Sequence, residues 1–235
     1  MTTTPPNPVD GDELFGRLPE ADQATQARLH ARLAAAAERA GILDVAYRTL
    51  DTPVGPLLLA ATEHGLVRVA YASEDHDKVL DRLAETVSSR LLRAPARLDD
   101  AARQLGEYFT GRRSLFDLPL DLRLAHGFRR EVLSHLRDIG YGTTASYAAV
   151  ATAAGSPRAV RAVGTACATN PLPVVVPCHR VIRSDGTLGH YVGGAEAKKT
   201  LLTLEATGVN TPPGRGSEMP AGPTATGLPA VDQVR

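Results

Sequence analysis

No cysteine occurs before position 167, and the chain holds only two, Cys167 and Cys178. A disulfide framework is therefore excluded, as is a Cys-ligated structural zinc in the first two thirds of the sequence. Long apolar runs are missing too: none approaches the roughly 18 to 20 residues of a membrane-spanning helix. The opening Met1-Thr-Thr-Thr-Pro-Pro-Asn-Pro has no basic stretch ahead of an apolar core, so a secretory leader is not expected. Free thiols without a leader or a span predict a reducing, cytoplasmic setting and no membrane partner. Tryptophan is absent and net charge is zero, 26 basic residues against 26 acidic.

What remains is an ordinary globular composition. With 43% apolar and 22% charged residues among 235, the chain can bury a core, and its length predicts two small domains plus tails. The zero net charge conceals an asymmetry. Residues 1–121 carry 14 basic and 19 acidic side chains, whereas residues 122–210 carry 10 basic and 5 acidic. A positive second half fits a nucleic-acid-facing domain, and equally fits a solvated arginine-rich surface.

Residues 1–19 lack apolar periodicity and are expected to be disordered, as is the Pro-, Gly- and Thr-rich tail 211–235. Between them, an Ala-rich helix is predicted over residues 20–40, with Leu29 and Leu33 four apart and Gly41 as its stop. Apolar stretches at 46–50, 56–62 and 66–72, separated by Thr52-Pro-Val-Gly and Glu63-His-Gly, predict a three-stranded antiparallel meander. A helix over 77–88, a second one capped by Asp99, and a strand at 115–120 complete an α/β domain spanning 46–121.

A second, mainly helical domain is predicted over 122–210. Phe128, Val132, Leu136 and Ile139 share one helical face. Ser146 caps a short helix, and Ser156-Pro157 reads as an N-cap followed by proline at the first position of another. Together these form a helix-turn-helix, a motif shared by DNA-binding proteins and by proteins with no DNA ligand. Its second helix offers Ala159, Val160, Ala162 and Val163 around Arg161 instead of long polar readers of base edges.

Leu172-Pro-Val-Val-Val then leads into Pro177-Cys178-His179-Arg180-Val181, a thiol at the end of an apparent strand. A thiol of ordinary pKa near 8.5 needs a base or positive field to act as a nucleophile. His179 is the nearest base. In an extended chain neighbouring side chains diverge, so a bridging water between Cys178 and His179 is the simpler geometry. Taken alone, Cys178 reads first as a buried structural thiol, the usual role of a free cysteine.

The flanks carry more. Tyr141-Gly-Thr-Thr-Ala-Ser-Tyr, Arg158-Ala-Val-Arg-Ala-Val-Gly-Thr, Asn170-Pro171, Pro177-Cys-His-Arg-Val-Ile and Tyr191-Val-Gly-Gly, in that order, closely resemble the O6-alkylguanine-DNA alkyltransferases. The resemblance spans roughly residues 46–208. It implies repair of double-stranded DNA by single-turnover transfer of an alkyl group from O6 of guanine, with O4 of thymine as a second target, to Cys178, by a monomer without metal or cofactor. By the same resemblance Glu205 orients His179, which draws the Cys178 proton through water. Tyr147 crowds the phosphate and donates a proton to guanine, Arg161 replaces the flipped base in the stack, and Asn170 ties the turn before the cysteine. Val181 contacts the guanine edge, and Tyr191 opens the loop along the guanine pocket.

Singly, Glu205 also reads as a surface carboxylate, Tyr147 as a core aromatic and Arg161 as a surface cation. Val192 departs from the smaller or polar residue expected in that loop, which leaves pocket width open. Two alternatives compete: a non-catalytic alkylated-DNA-binding protein, against which Cys178 speaks, and a helix-turn-helix regulator.

Overall fold

The computed structural model describes residues 22–208. The disorder expected of residues 1–19 and 211–235 lies outside the described residues, as does the expected start of the first helix at residue 20. That helix, α1 (Gln23–Arg39), is capped by Asp22, whose carboxylate accepts from Thr25 N at 2.6 Å. Its leucine pair does not form the packed face: Leu29 and Leu33 are more than half exposed, while Ala34 and Ala37 are buried. Small residues let the helix lie close along the small sheet, where His30 Nε2 meets Arg93 O at 2.9 Å.

β1 (Val45–Leu50), β2 (Leu57–Thr62) and β3 (Gly65–Tyr71) make the expected antiparallel meander. A fourth strand, β4 (Leu91–Arg93), pairs parallel with β1, so the sheet is mixed, in the order β3-β2-β1-β4, and not purely antiparallel. Three residues are too few to show a period. A distant pairing fixes them instead: Asp44 takes Arg90 bidentately, at 2.8 Å through both Nε and Nη2.

Every position of β2 is buried because both of its faces are covered. Leu58 and Ala60 meet Val79 and Leu83 of α2 (His76–Thr86). Leu57, Leu59 and Ala61 face a core shared with the second domain, including Val132, Val163 and Leu201. Each such leucine contributes about 1.5–3 kcal/mol on burial, so the two domains are joined by a common apolar interior.

Two local expectations fail in this half. Asp99 is the first residue of α3 (Asp99–Phe109) and not its cap; its carboxylate pairs with Arg48 at 2.7 Å. Residues 115–120 form no strand, only a single parallel bridge from Leu120 to Leu66, with Leu115 exposed.

The second domain holds α4 (Phe128–Leu136), α5 (Tyr147–Ala153), α6 (Val160–Ala168) and α7 (Gly194–Gly208). Ser146 caps α5 as expected, its Oγ accepting from Ala149 N at 3.1 Å. The second helix of the helix-turn-helix starts later than predicted. Ser156 and Pro157 form a turn closed by Ala159 N on Ser156 O at 2.8 Å, and α6 begins at Val160 with Ala159 as its cap. Val163, Ala166 and Cys167 face inward, which leaves Arg158, Arg161 and Thr165 exposed.

Candidate active site

The segment leading to the cysteine is not a strand. Residues 172–176 fold into consecutive turns, and Cys178–Arg180 is one turn of 3-10 helix. Buried backbone must find partners inside the protein, and here Asn170 supplies them. Its Oδ1 accepts from Leu172 N and its Nδ2 donates to Val176 O, both at 2.9 Å. Val174 adopts φ of 72°, a left-handed conformation that no β-branched residue takes in a strand. The inference from extended geometry therefore lapses, although no direct Cys178–His179 hydrogen bond is found among the described residues.

Asn170 Nδ2 also lies 3.1 Å from Cys178 Sγ. The thiol is 1% exposed, and burial pushes its pKa up to about 11 against the pull of the Asn170 hydrogen bond and the Lys198 charge. At neutral pH the group is thus a protonated thiol, which would have to lose its proton to act as a nucleophile.

His179 is the base available. Burial lowers its pKa, against the opposing influence of Glu205, so the ring is neutral. Its Nε2 stands 2.9 Å from Glu205 Oε1. Because an ionised carboxylate only accepts, Nε2 carries the hydrogen, and Nδ1 keeps its lone pair. That Nδ1 is buried with no protein partner.

Glu205 is fully buried, yet it stays ionised. Burial favours the neutral acid, but hydrogen bonds from His179 and Arg180 outweigh it and hold the pKa down to about 2. Arg180 donates through Nε and Nη2, each at 2.9 Å, and its Nη1 donates to Ile139 O at 2.5 Å. Gly142 N adds a bond at 3.1 Å and the Tyr108 hydroxyl one at 2.7 Å.

Sequence reasoning did not anticipate Arg180, Tyr108 or Lys198 in this site. Arg180 stood in plain view beside the Cys-His pair. Lys198 was legible through spacing, since Lys198, Leu201 and Glu205 recur at i, i+3 and i+7 on the buried face of α7. Its Nζ donates to Val181 O at 2.6 Å and to Leu188 O. Tyr108 carried no signal, because its partner lies 97 positions away.

Tyr191 is buried with its ring edge-on to His179, centroids 6.2 Å apart. Val181, in β6 (Val181–Ile182), pairs with Ala145 of β5 (Ala145–Ser146), tying the cysteine turn to the entry of α5. Tyr147 is half-buried at that entry, against Gly189, where an added Cβ would come 2.8 Å from its hydroxyl. Burial raises the Tyr147 pKa, with Cys167 and Cys178 adding to the shift, so it is a protonated donor at neutral pH. The structure thus gathers Cys178, His179, Glu205, Asn170, Tyr191 and Val181. Arg161 stands apart, exposed on α6.

Residues 127–207 match the family model described as 6-O-methylguanine DNA methyltransferase, DNA binding domain, and residues 45–122 that of the ribonuclease-like domain of the same proteins. A methylated-DNA–protein-cysteine methyltransferase of Mycolicibacterium paratuberculosis is 41% identical over 161 residues, 68% of this chain and 92% of the relative. The constitutive enzyme of that name from Bacillus subtilis is 42% identical over 160 residues, 68% and 94% of the two chains. Among solved structures, O6-methylguanine methyltransferase of Mycobacterium tuberculosis superposes with a TM-score of 0.62 at 38% identity, over 69% of this chain and 93% of that one. The same protein in complex with DNA gives 0.60, again at 38% identity, over 69% and 94%.

Proposed function

The chain belongs to the 6-O-methylguanine DNA methyltransferase family, and from that premise we propose that Cys178 is the residue to which it transfers the alkyl group. The protein repairs DNA by direct alkyl transfer, as a methylated-DNA–protein-cysteine methyltransferase. The substrate is O6-alkylguanine in double-stranded DNA, with O4 of alkylated thymine as a second target, and the working species is a monomer. The helical half from about residue 122 to 210 carries the DNA contact and the thiol. A thiol-reducing compartment, the cytoplasm, keeps Cys178 competent.

The observation that supports this most is the arrangement around His179, the residue after Cys178: a neutral, buried imidazole whose Nε2 is committed to Glu205 while Nδ1 keeps an unused lone pair, next in the chain to a protonated thiol. The nucleotide leaves the stack, since O6 of a paired guanine does not admit in-line attack. Arg161, exposed on α6, fills the gap. As the Cys178 proton passes through water to His179 Nδ1, sulfur attacks the alkyl carbon. The S–C bond forms, the C–O6 bond breaks, and its electron pair returns to guanine while Tyr147 supplies the proton. The imidazolium then restores the proton to Tyr147, so the net transfer is one proton from thiol to guanine. The thioether has no route to hydrolysis, and each molecule acts once.

Glu205 sets the tautomer and Arg180 sets Glu205, the logic of a catalytic triad. A non-catalytic DNA-binding module or a helix-turn-helix regulator is not favoured, because neither needs a nucleophile so equipped. The test is intact-protein mass after incubation with duplex DNA containing O6-methylguanine, followed by peptide mapping. The expected result is one added methyl, on Cys178, and none in Cys178→Ala. Methyl on Cys167, or full transfer by Cys178→Ala, overturns the assignment.

A further inference from the structure

β3, in the small domain, ends against both walls of the thiol site. Arg68, at its middle, is 15% exposed at the side chain. One arm of its guanidinium, Nη1, reaches three carbonyl oxygens: Val69 at 3.1 Å, Pro171 at 3.2 Å and Asn170 at 3.5 Å. The other arm, Nη2, is paired with Glu74. Glu74 is itself pinned, its second oxygen accepting from Tyr71 N at 3.0 Å. Pro171 O also accepts from Val69 N at 2.8 Å, so both of its donors come from β3.

The opposite wall is registered from the same strand. The Tyr71 hydroxyl lies 2.9 Å from that of Tyr191. Gly193 packs so closely on the Tyr71 ring that an added Cβ would come within 2.5 Å of it.

We propose that Arg68 is a positioning residue for Cys178, holding across the domain boundary the Asn170–Pro171 turn whose side-chain amide donates to the thiol. The inference rests on Cys178 being the alkyl acceptor. Asn170 has no sheet or helix of its own to fix it, since α6 ends at Ala168 and the following segment is all turns. Its main-chain carbonyl and the next one are held by Arg68, and its side chain then reaches Cys178 Sγ at 3.1 Å. A planar guanidinium can pin two successive carbonyls and a carboxylate at once; a lysine ammonium, a single point of charge, satisfies fewer of them. In-line attack on a bound alkyl carbon tolerates little displacement of the sulfur, and a misplacement of about 1 Å costs on the order of 100-fold in rate.

The experiment compares wild-type, Arg68→Met and Arg68→Lys proteins in single-turnover reactions with methylated duplex, reading Kd, limiting rate and the amplitude of active protein separately. Arg68→Met should lower the limiting rate by roughly 10- to 100-fold with Kd and amplitude unchanged, and Arg68→Lys should recover part of that loss. A lowered amplitude at the wild-type rate would show that Arg68 serves only folding and overturns the proposal. If Arg68→Met does not fold, Glu74→Gln, which keeps the arginine but releases its second arm, is read the same way: a slower limiting rate supports the brace, an unchanged one overturns it. Iodoacetamide labelling of Cys178, located by peptide mass, probes the brace without DNA. Slower labelling in Arg68→Met than in wild type is expected, because the Asn170 donor that favours the thiolate is loosened; equal or faster labelling overturns it. A wild-type protein that labels with iodoacetamide yet takes no methyl from DNA refutes the repair assignment and leaves the brace to be judged by labelling alone.

Discussion

Tyr108, in the small domain, donates its hydroxyl hydrogen to Glu205 Oε1 at 2.7 Å, so the carboxylate bonded to His179 is held from both domains. Glu205 is fully buried, and a donor removed from a buried charge is not replaced by water. Tyr108→Phe keeps the ring and its packing on Phe116 and Tyr141 but deletes that donor. Stability should fall by about 1–3 kcal/mol, the range for a hydrogen bond to a charged group, measured by urea unfolding. Arg180, His179 and Gly142 still hold Glu205, so the folded fraction should continue to transfer methyl. A variant as stable as wild type would show that the bond contributes nothing net.

Acid should destabilise the protein in two stages of the same sign. His179 has its folded pKa lowered from 6.5, chiefly by burial, so its contribution is complete above pH 6.5 and is lost as pH falls through the folded value. Glu205 is held to about 2 against 4.5 unfolded, so its contribution is complete above pH 4.5 and is lost toward pH 2. Since a tenfold change in proton affinity is equivalent to about 1.4 kcal/mol, the carboxylate accounts for roughly 3 kcal/mol. Urea midpoints measured between pH 8 and pH 3 should decline below 6.5 and steepen below 4.5. Glu205→Gln should be less stable at every pH, because Arg180 loses its counter-charge, and should lack the steeper lower limb. A midpoint flat from pH 6.5 to 3 contradicts the assignment.

Arg161→Ala should slow repair of methylated duplex far more than reaction with free O6-benzylguanine. Arg161 is exposed on α6 and outside the Glu205 network, and a free base needs no flipping. Equal losses on the two substrates would place Arg161 in the chemistry or the fold.

Methylation of Cys178 should lower the melting temperature. Its side chain is 1% exposed, against Asn170, and one methyl forced into a filled site costs about 1–3 kcal/mol. The check is calorimetry on protein shown by mass to be fully methylated. Identical melting of modified and unmodified chains would mean that the pocket already had room for the methyl.

The elements whose own composition defines them were legible along the chain. The meander announced itself through apolar runs cut by Pro-Val-Gly and His-Gly turns, and α5 through Ser146. The order Asn-Pro, Pro-Cys-His-Arg-Val, Tyr-x-Gly-Gly marked the chemistry through the family it resembles, since the same residues taken singly also read as core or surface groups. Leu29 and Leu33 misled, since helical spacing identifies a face without saying which face finds a partner; Ala34 and Ala37 won because the sheet edge admits a close helix.

The sequence by itself determined the two kinds of domain, which follow from short-range periodicity, and it pointed to Cys178, His179 and Glu205 only through the family that the order of motifs resembles. Only the tertiary structure decided how the cysteine is presented. The apolar run 172–176 has strand propensity in its three valines, although not in Pro173, yet it folds as turns because Asn170 captures its backbone groups and β3 captures Pro171 O. The donors on Glu205 come from positions 108, 142, 179 and 180. Burial leaves those polar groups no partner but one another, and no local pattern records a satisfaction arranged across a hundred residues.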